Sequence, residues 1–395
     1  MTSVLSSPAY VLRLGPAGLT VIRALGRSGI PVVSFHSDPH DPAGRSRFAR
    51  PRILPPIDAR EDAWLNALLE EGRRLDPVKG VVFPIGDEGW LFLARHRETL
   101  RPYFRFALPD ADNLEEWPGK PFQYRAAVEA GVPVPRTFFP RTEEEALAAA
   151  AALGFPCIIK PAYSHLWRSA YGWKKLAFVT TPDELAVGWR DAARYGLAVM
   201  LQEYIPGGDD QVYTFSAYLD RRSHPLAVGV MRKIRQYPPH FGAACCGMSV
   251  VDPATAEPLR EMGLTLLRTI GFHGICGVEF KWDSARGFQF IEANVRPGTM
   301  TTAVMLDGGL NLAAIAYHDL LGQPVPPPPP LRRGRKVVLI GRDVKSFRYY
   351  KARGELTWWQ WVRSLLGRTR EYYWGWDDPA PFIASVRRLI RGAMR

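Results

Sequence analysis

Cysteine is scarce: Cys157, Cys245, Cys246 and Cys276 are the only four in 395 residues, and none forms a CxxC pair. Neither a disulfide framework nor a structural zinc organises this chain, and a reduced, cytoplasmic protein is the expectation. No run of about 18 apolar residues occurs, so no membrane-spanning helix is expected. Residues 1–8 lack a basic segment followed by an apolar one, which argues against a secretory leader. Unbalanced charge is also missing from most of the chain. The formal net charge is +12, but residues 331–395 hold 16 Lys and Arg against 5 Asp and Glu, which leaves the first 330 residues close to neutral. The basic character belongs to the tail. No Ser-His-Asp or Cys-His pattern points to a covalent nucleophile, and the adjacent Cys245 and Cys246 read as packed apolar sulfur.

What is present is an ordinary globular composition, 47% apolar and 23% charged, long enough for two or three cores. Residues 9–35 read as strand, turn, helix and strand, with Gly15-Pro16-Ala17-Gly18 in the turn. That is a βαβ beginning. The turn lacks the full G-x-G-x-x-G of a dinucleotide site, so a tight turn opening a helix is the preferred reading. A second unit places Gly86-Asp87-Glu88 after the apolar strand 81–85. Ligands collect at the carboxyl ends of such strands, which makes Asp87 and Glu88 weak candidates for a cationic substrate beside the plainer reading of exposed loop acids.

From Asn113 onward the pattern changes. Pro121 starts a helix that Gly131 ends, and Thr142 with Glu145 forms a capping box for an alanine-rich helix ending at Gly154. The strand 156–161 is apolar except for Lys160, and a buried lysine needs an anion. Residues 163–175 are aromatic and basic. The strand 198–205 ends in Glu203-Tyr204-Ile205, and 232–240 reads as a polar, basic segment.

Two β-rich runs, 275–282 and 288–293, flank the turn-forming residues 283–287, the mark of an antiparallel hairpin. Folding about Ala285 sets Glu279 opposite, or one step off, Glu292, and alternation puts Asn294 on the same face as Glu292. Hard divalent cations take oxygen ligands of this kind. A solvated hairpin face is the plain alternative.

The end of this stretch, Glu292-Ala293-Asn294-Val295-Arg296-Pro297-Gly298, resembles the metal-binding segment of the ATP-grasp ligases. The order of the dispersed motifs is similar to their carboxylate-amine ligase branch, D-aspartate ligase-like proteins included. The resemblance implies a Rossmann-like α/β pre-ATP-grasp domain over 1–110, an α+β two-lobed grasp fold with lobes over 111–200 and 201–325, and a helical, aromatic and basic extension over 326–395. It implies ATP and Mg²⁺, with Mn²⁺ as a substitute. Lys120 and Lys160 would meet the phosphates. Glu203, Tyr204 and Ile205 would meet adenine, and Asp210 the ribose. Glu279, Glu292 and Asn294 would hold the metal, and Arg296 with Lys160 would serve the transferred phosphate. The implied activity is ATP-dependent coupling of a small carboxylate to an amine. A degenerate grasp fold that senses ATP or tethers a partner, or a kinase-like member, is the alternative.

The resemblance breaks at 163–175, where the family has a glycine-rich lid. Only Gly172 is present there, and Arg168 and Lys174 are expected to do part of the phosphate-covering work. Asp210 stands where a glutamate is frequent. From the residues themselves, Arg232, Lys233 and Arg235 are the candidates for the substrate carboxylate. The tail carries Trp358, Trp359, Trp361, Trp374 and Trp376 among its basic residues. Packing on the body is its first expected role, peripheral contact with an anionic membrane the second and nucleic acid an unlikely third. A homodimer is compatible with this reading.

Overall fold

The computed structural model describes residues 7–164, 166–167 and 177–393. Its first sheet is wholly parallel, built from β1 (Ala9–Leu12), β2 (Val32–His36), β3 (Ala49–Ile53), β4 (Gly80–Pro84) and β5 (Phe104–Arg105) in the order β3-β2-β1-β4-β5. Every residue of β1, β2 and β4 is buried, as expected of parallel strands covered on both faces. Because β2 and β4 leave β1 on opposite sides, the winding reverses between β1 and β4. The helix Gly15–Gly26 follows β1, and the helix Gly86–Arg95 follows β4.

The second sheet has four strands, β6 (Thr137–Phe138), β7 (Cys157–Pro161), β8 (Ala177–Val179) and β9 (Val199–Glu203), ordered β6-β9-β7-β8. Two helices flank it, Glu143–Leu153 and Pro182–Arg194. Thr142 and Thr181 cap them, each accepting a backbone N–H from the residue three positions on.

The third sheet has seven strands in the order β14-β13-β10-β11-β12-β15-β16. They are β10 (Val212–Leu219), β11 (Pro225–Tyr237), β12 (Ala243–Val250), β13 (Gly274–Asp283), β14 (Gly287–Asn294), β15 (Lys336–Val338) and β16 (Thr369–Glu371). The polar, basic segment that starts at Arg232 is, as far as Tyr237, part of strand β11. Arg232 to Tyr237 pair with Met248 back to Ala243 on β12, through two register shifts, and each charged side chain there finds a protein partner.

The tail is built into this sheet. β15 pairs antiparallel with β12 and β16 parallel with β15. From there the chain returns to the first domain, where Arg23 and Asp378 form an ion pair of 2.9 Å, both side chains almost fully buried. Trp90 of the first domain stacks on Phe272 at 6.3 Å, and Trp117 lies 6.2 Å from the same ring. One apolar core therefore runs from the parallel sheet into the seven-stranded one. Trp359 and Trp376 remain 69% and 88% exposed. No helix among the described residues is long and apolar enough to cross a membrane.

Candidate functional site

The hairpin forms as the alternation predicts. Glu279 pairs directly with Glu292 and Gly277 with Asn294, and a bulge follows immediately at Glu279/Phe280. Gly277 keeps the wall low beside Asn294, since a Cβ there would lie 3.3 Å from the Thr214 side chain.

The opposing wall comes from the first lobe. The backbone N–H of Lys120, at the start of the helix Lys120–Glu129, donates to Ala162 O at 2.9 Å just past β7, so Lys120 and Lys160 converge. Lys120 Nζ donates to Ser164 Oγ at 3.0 Å and lies 3.6 Å from Glu292 Oε2. The same helix grips β14. The Gln123 amide donates to Ala293 O (2.7 Å) and accepts from Ala293 N (3.0 Å), and Tyr124 Oη donates to Ile291 O at 2.9 Å. These bonds bracket Glu292.

A cavity of about 510 Å³ lies between these walls. Lys120, Lys160, Glu203, Tyr204, Ile205, Lys233, Glu279, Glu292, Asn294 and Arg296 all face it. Its electrostatics are tightly paired. Lys160 Nζ donates to Gln202 Oε1 at 2.5 Å, and burial, assisted by the nearby Lys120 charge, pushes its pKa down to about 7. Lys233 Nζ donates to Glu279 Oε2 at 2.9 Å. Burial opposes its charge, but the Glu279 carboxylate outweighs that and raises its pKa. The oxygen donors of Glu279, Glu292 and Asn294 suit a hard cation such as Mg²⁺. Among the described residues no three His, Cys, Asp or Glu side chains are grouped to hold a metal. A cation here would therefore need substrate oxygens to complete its shell, as Mg²⁺ sites commonly do.

No family model matches the chain. It is 27% identical over 197 residues to a D-alanine–D-alanine ligase of Pseudomonas entomophila, covering 48% of this chain and 58% of that one. It is 25% identical over 297 residues to a D-aspartate ligase of Enterococcus faecium, covering 72% and 70%. Among solved structures, a biotin carboxylase complex from Campylobacter jejuni superposes with a TM-score of 0.64 at 17% identity, over 83% of this chain and 74% of that one. The chain is thus similar in sequence to amino-acid ligases and similar in fold to the carboxylase. It spans little more than half the length of the D-alanine ligase it matches.

Several residues sit elsewhere than the resemblance implies. Arg235 does not face the cavity. It is buried, donating to both oxygens of Asp343 at 2.7 and 3.0 Å and to Ser364 Oγ at 2.7 Å, so it fastens the tail. Arg232 also turns away, binding Asp210 through that residue's carbonyl (2.5 Å) and carboxylate (2.6 Å). That contact occupies Asp210, which likewise does not line the cavity. The Glu203 carboxylate is taken by Arg136 at 2.9 Å and Arg286 at 2.6 Å. Burial works to raise its pKa, and the two guanidinium groups reverse that and lower it. Asp87 and Glu88 are partners of Arg296 and Arg13, so they are not loose loop acids. Arg168 and Lys174 fall outside the described residues.

Lys281 was missed. It faces the cavity, donates to Ile205 O at 2.7 Å and lies 5.2 Å from the Tyr204 ring centre. Burial brings its pKa down to about 8. The signal was available, because Lys281 stands two residues from Glu279 and so on the same strand face.

Proposed function

We propose that this chain is an ATP-dependent carboxylate-amine ligase of the ATP-grasp superfamily. The observation that carries the reading is the meeting, in one cavity, of the Glu279-Glu292-Asn294 face of one lobe with the buried lysines Lys120 and Lys160 of the other. In this reading Tyr204 and the backbone at Ile205 seat the adenine, with Lys281 fixing the Ile205 carbonyl. Lys120 and Lys160 take phosphate oxygens as point charges. A divalent cation, Mg²⁺ or Mn²⁺, would be held by Glu279, Glu292 and Asn294 and would neutralise charge between triphosphate and carboxylate.

The chemistry joins two anions, so its main demand is electrostatic. A carboxylate oxygen attacks the γ-phosphorus, the bond to the β-bridging oxygen breaks and ADP leaves. The amine nitrogen then attacks the acyl carbon, phosphate departs and the amine loses a proton. Arg296, fixed by Asp87 at 2.9 Å, is placed in this reading beside the transferred phosphate. Lys233 sets the position of Glu279 and is not assigned to the substrate. Substrates are a small carboxylate and a small amine, and no role is proposed for a membrane.

Hydroxylamine tests this directly as a surrogate amine. With ATP, Mg²⁺ and pooled small acids, the chain should form a hydroxamate. ATP hydrolysis without hydroxamate from any pool would contradict the ligase reading.

A further inference from the structure

The parallel sheet reverses its winding between β1 and β4, the place where ligands of open α/β sheets gather. Arg13 follows β1 there and Gly86 follows β4, and both line the cavity together with Arg296 of the second lobe. Arg13 holds a left-handed backbone with φ of 69°, which a residue with a Cβ adopts only under strain. Gly86 has φ of 77°, and a Cβ on it would collide with Arg13 Nη1. The chain thus strains one residue and uses glycine at the other, and the Arg13 guanidinium lies over Gly86 and pairs with Glu88.

The preceding acid, Asp87, holds Arg296 through its Nε at 2.9 Å, so the terminal nitrogens of that guanidinium are not used in the contact. Two consecutive acids of one helix therefore fix two guanidinium groups from different domains at one end of the cavity. Their side chains are 33% and 16% exposed.

We propose that Arg13 and Arg296 form a clamp selecting a dianionic acid. Arg296 attends the reacting end of the acid, where its carboxylate meets the transferred phosphate, and Arg13 takes a second oxyanion, carboxylate or phosphate, on the same molecule. Guanidinium forks suit both groups. The proposal deepens the ligase reading and rests on it.

Calorimetric titration of the full chain with ADP and Mg²⁺ present tests the clamp, using succinate, phosphoglycolate and butyrate as probes. The wild type should bind at least one dianion about tenfold more tightly than butyrate. A gain for succinate alone marks the second group as a carboxylate, and a gain for phosphoglycolate alone marks it as a phosphate. Arg13→Gly, which tolerates the positive φ, should keep ADP affinity and melting temperature while losing the preference. Arg13→Lys, a second variant that keeps the charge without the fork, should reduce it.

Equal binding of all three acids by the wild type, or a preference that survives in Arg13→Gly, would overturn the clamp. Dianion preference without acid-dependent ADP release would sink the ligase reading and leave the clamp standing. Acid-dependent release without the preference would do the reverse.

Discussion

Glu279 faces Glu292 across adjacent strands, and each carboxylate is met by a buried lysine, Lys233 at 2.9 Å and Lys120 at 3.6 Å. The lysines differ in their other contacts. Lys120 also touches Ser164 beyond β7, whereas Lys233 also reaches Gln236 on its own strand. Lys233→Met should therefore weaken Mg²⁺ dependence of ATP binding by misplacing Glu279, and Lys120→Met should weaken nucleotide binding itself. Titrating MgATP and metal-free ATP separately against each variant checks this. Identical profiles for the two variants would contradict it.

Lys160 gives a pH dependence. Its pKa in the free chain is pushed down to about 7 by burial, and an anionic phosphate favours its protonated form, so ligand binding raises that pKa. Between the two values binding takes up a proton. ATP affinity should then fall as pH rises above about 7, by up to about tenfold per pH unit. Lys160→Arg, which stays charged, should flatten the dependence near 7 and leave any step near 8 to Lys281. Calorimetry in buffers of different ionisation enthalpy reads the proton uptake directly.

Arg235 is predicted to matter for stability. Asp343 is fully buried, so Arg235→Ala strands a charge and should cost about 3–5 kcal/mol. Thermal unfolding should show the loss, while carboxylate dependence of turnover in the folded fraction stays unchanged. A selective rise in the KM for the acid without loss of stability would return Arg235 to the substrate.

A chain stopped at Pro330 loses β15 and β16, exposes the edge of β12 and leaves Arg235 and Arg23 without Asp343 and Asp378. It should be poorly soluble, because an uncovered edge strand invites association. Light scattering and yield of soluble chain are the readouts, and a stable monomer would contradict the tail's structural role.

How far the sequence could be read depends on where each signal lies along the chain. The hairpin was legible because alternation and one turn bring Glu279, Glu292 and Asn294 together within 16 residues. β1, β2 and β4 of the parallel sheet were legible from their apolar runs and turn glycines, whereas β3 is half-exposed and β5 has two residues, so neither carries such a run. Arg235 was assigned to the substrate carboxylate because nothing in the run Arg-Lys-Ile-Arg-Gln names its partner, and Asp343 lies 108 residues away. β15 and β16 have three residues each, too short to carry a period. Glu203 was given to adenine because nothing local announces Arg136 and Arg286 as its partners.

Ligase activity is tested most directly by ADP release from the purified chain with Mg²⁺-ATP and pooled small carboxylates and amines, with Glu292→Ala as the blank. Release should depend on the pool and fall by roughly 10²–10³ in the variant, the scale expected when a key electrostatic stabiliser is lost. Pool-independent release, or release that Glu292→Ala leaves unchanged, would contradict it.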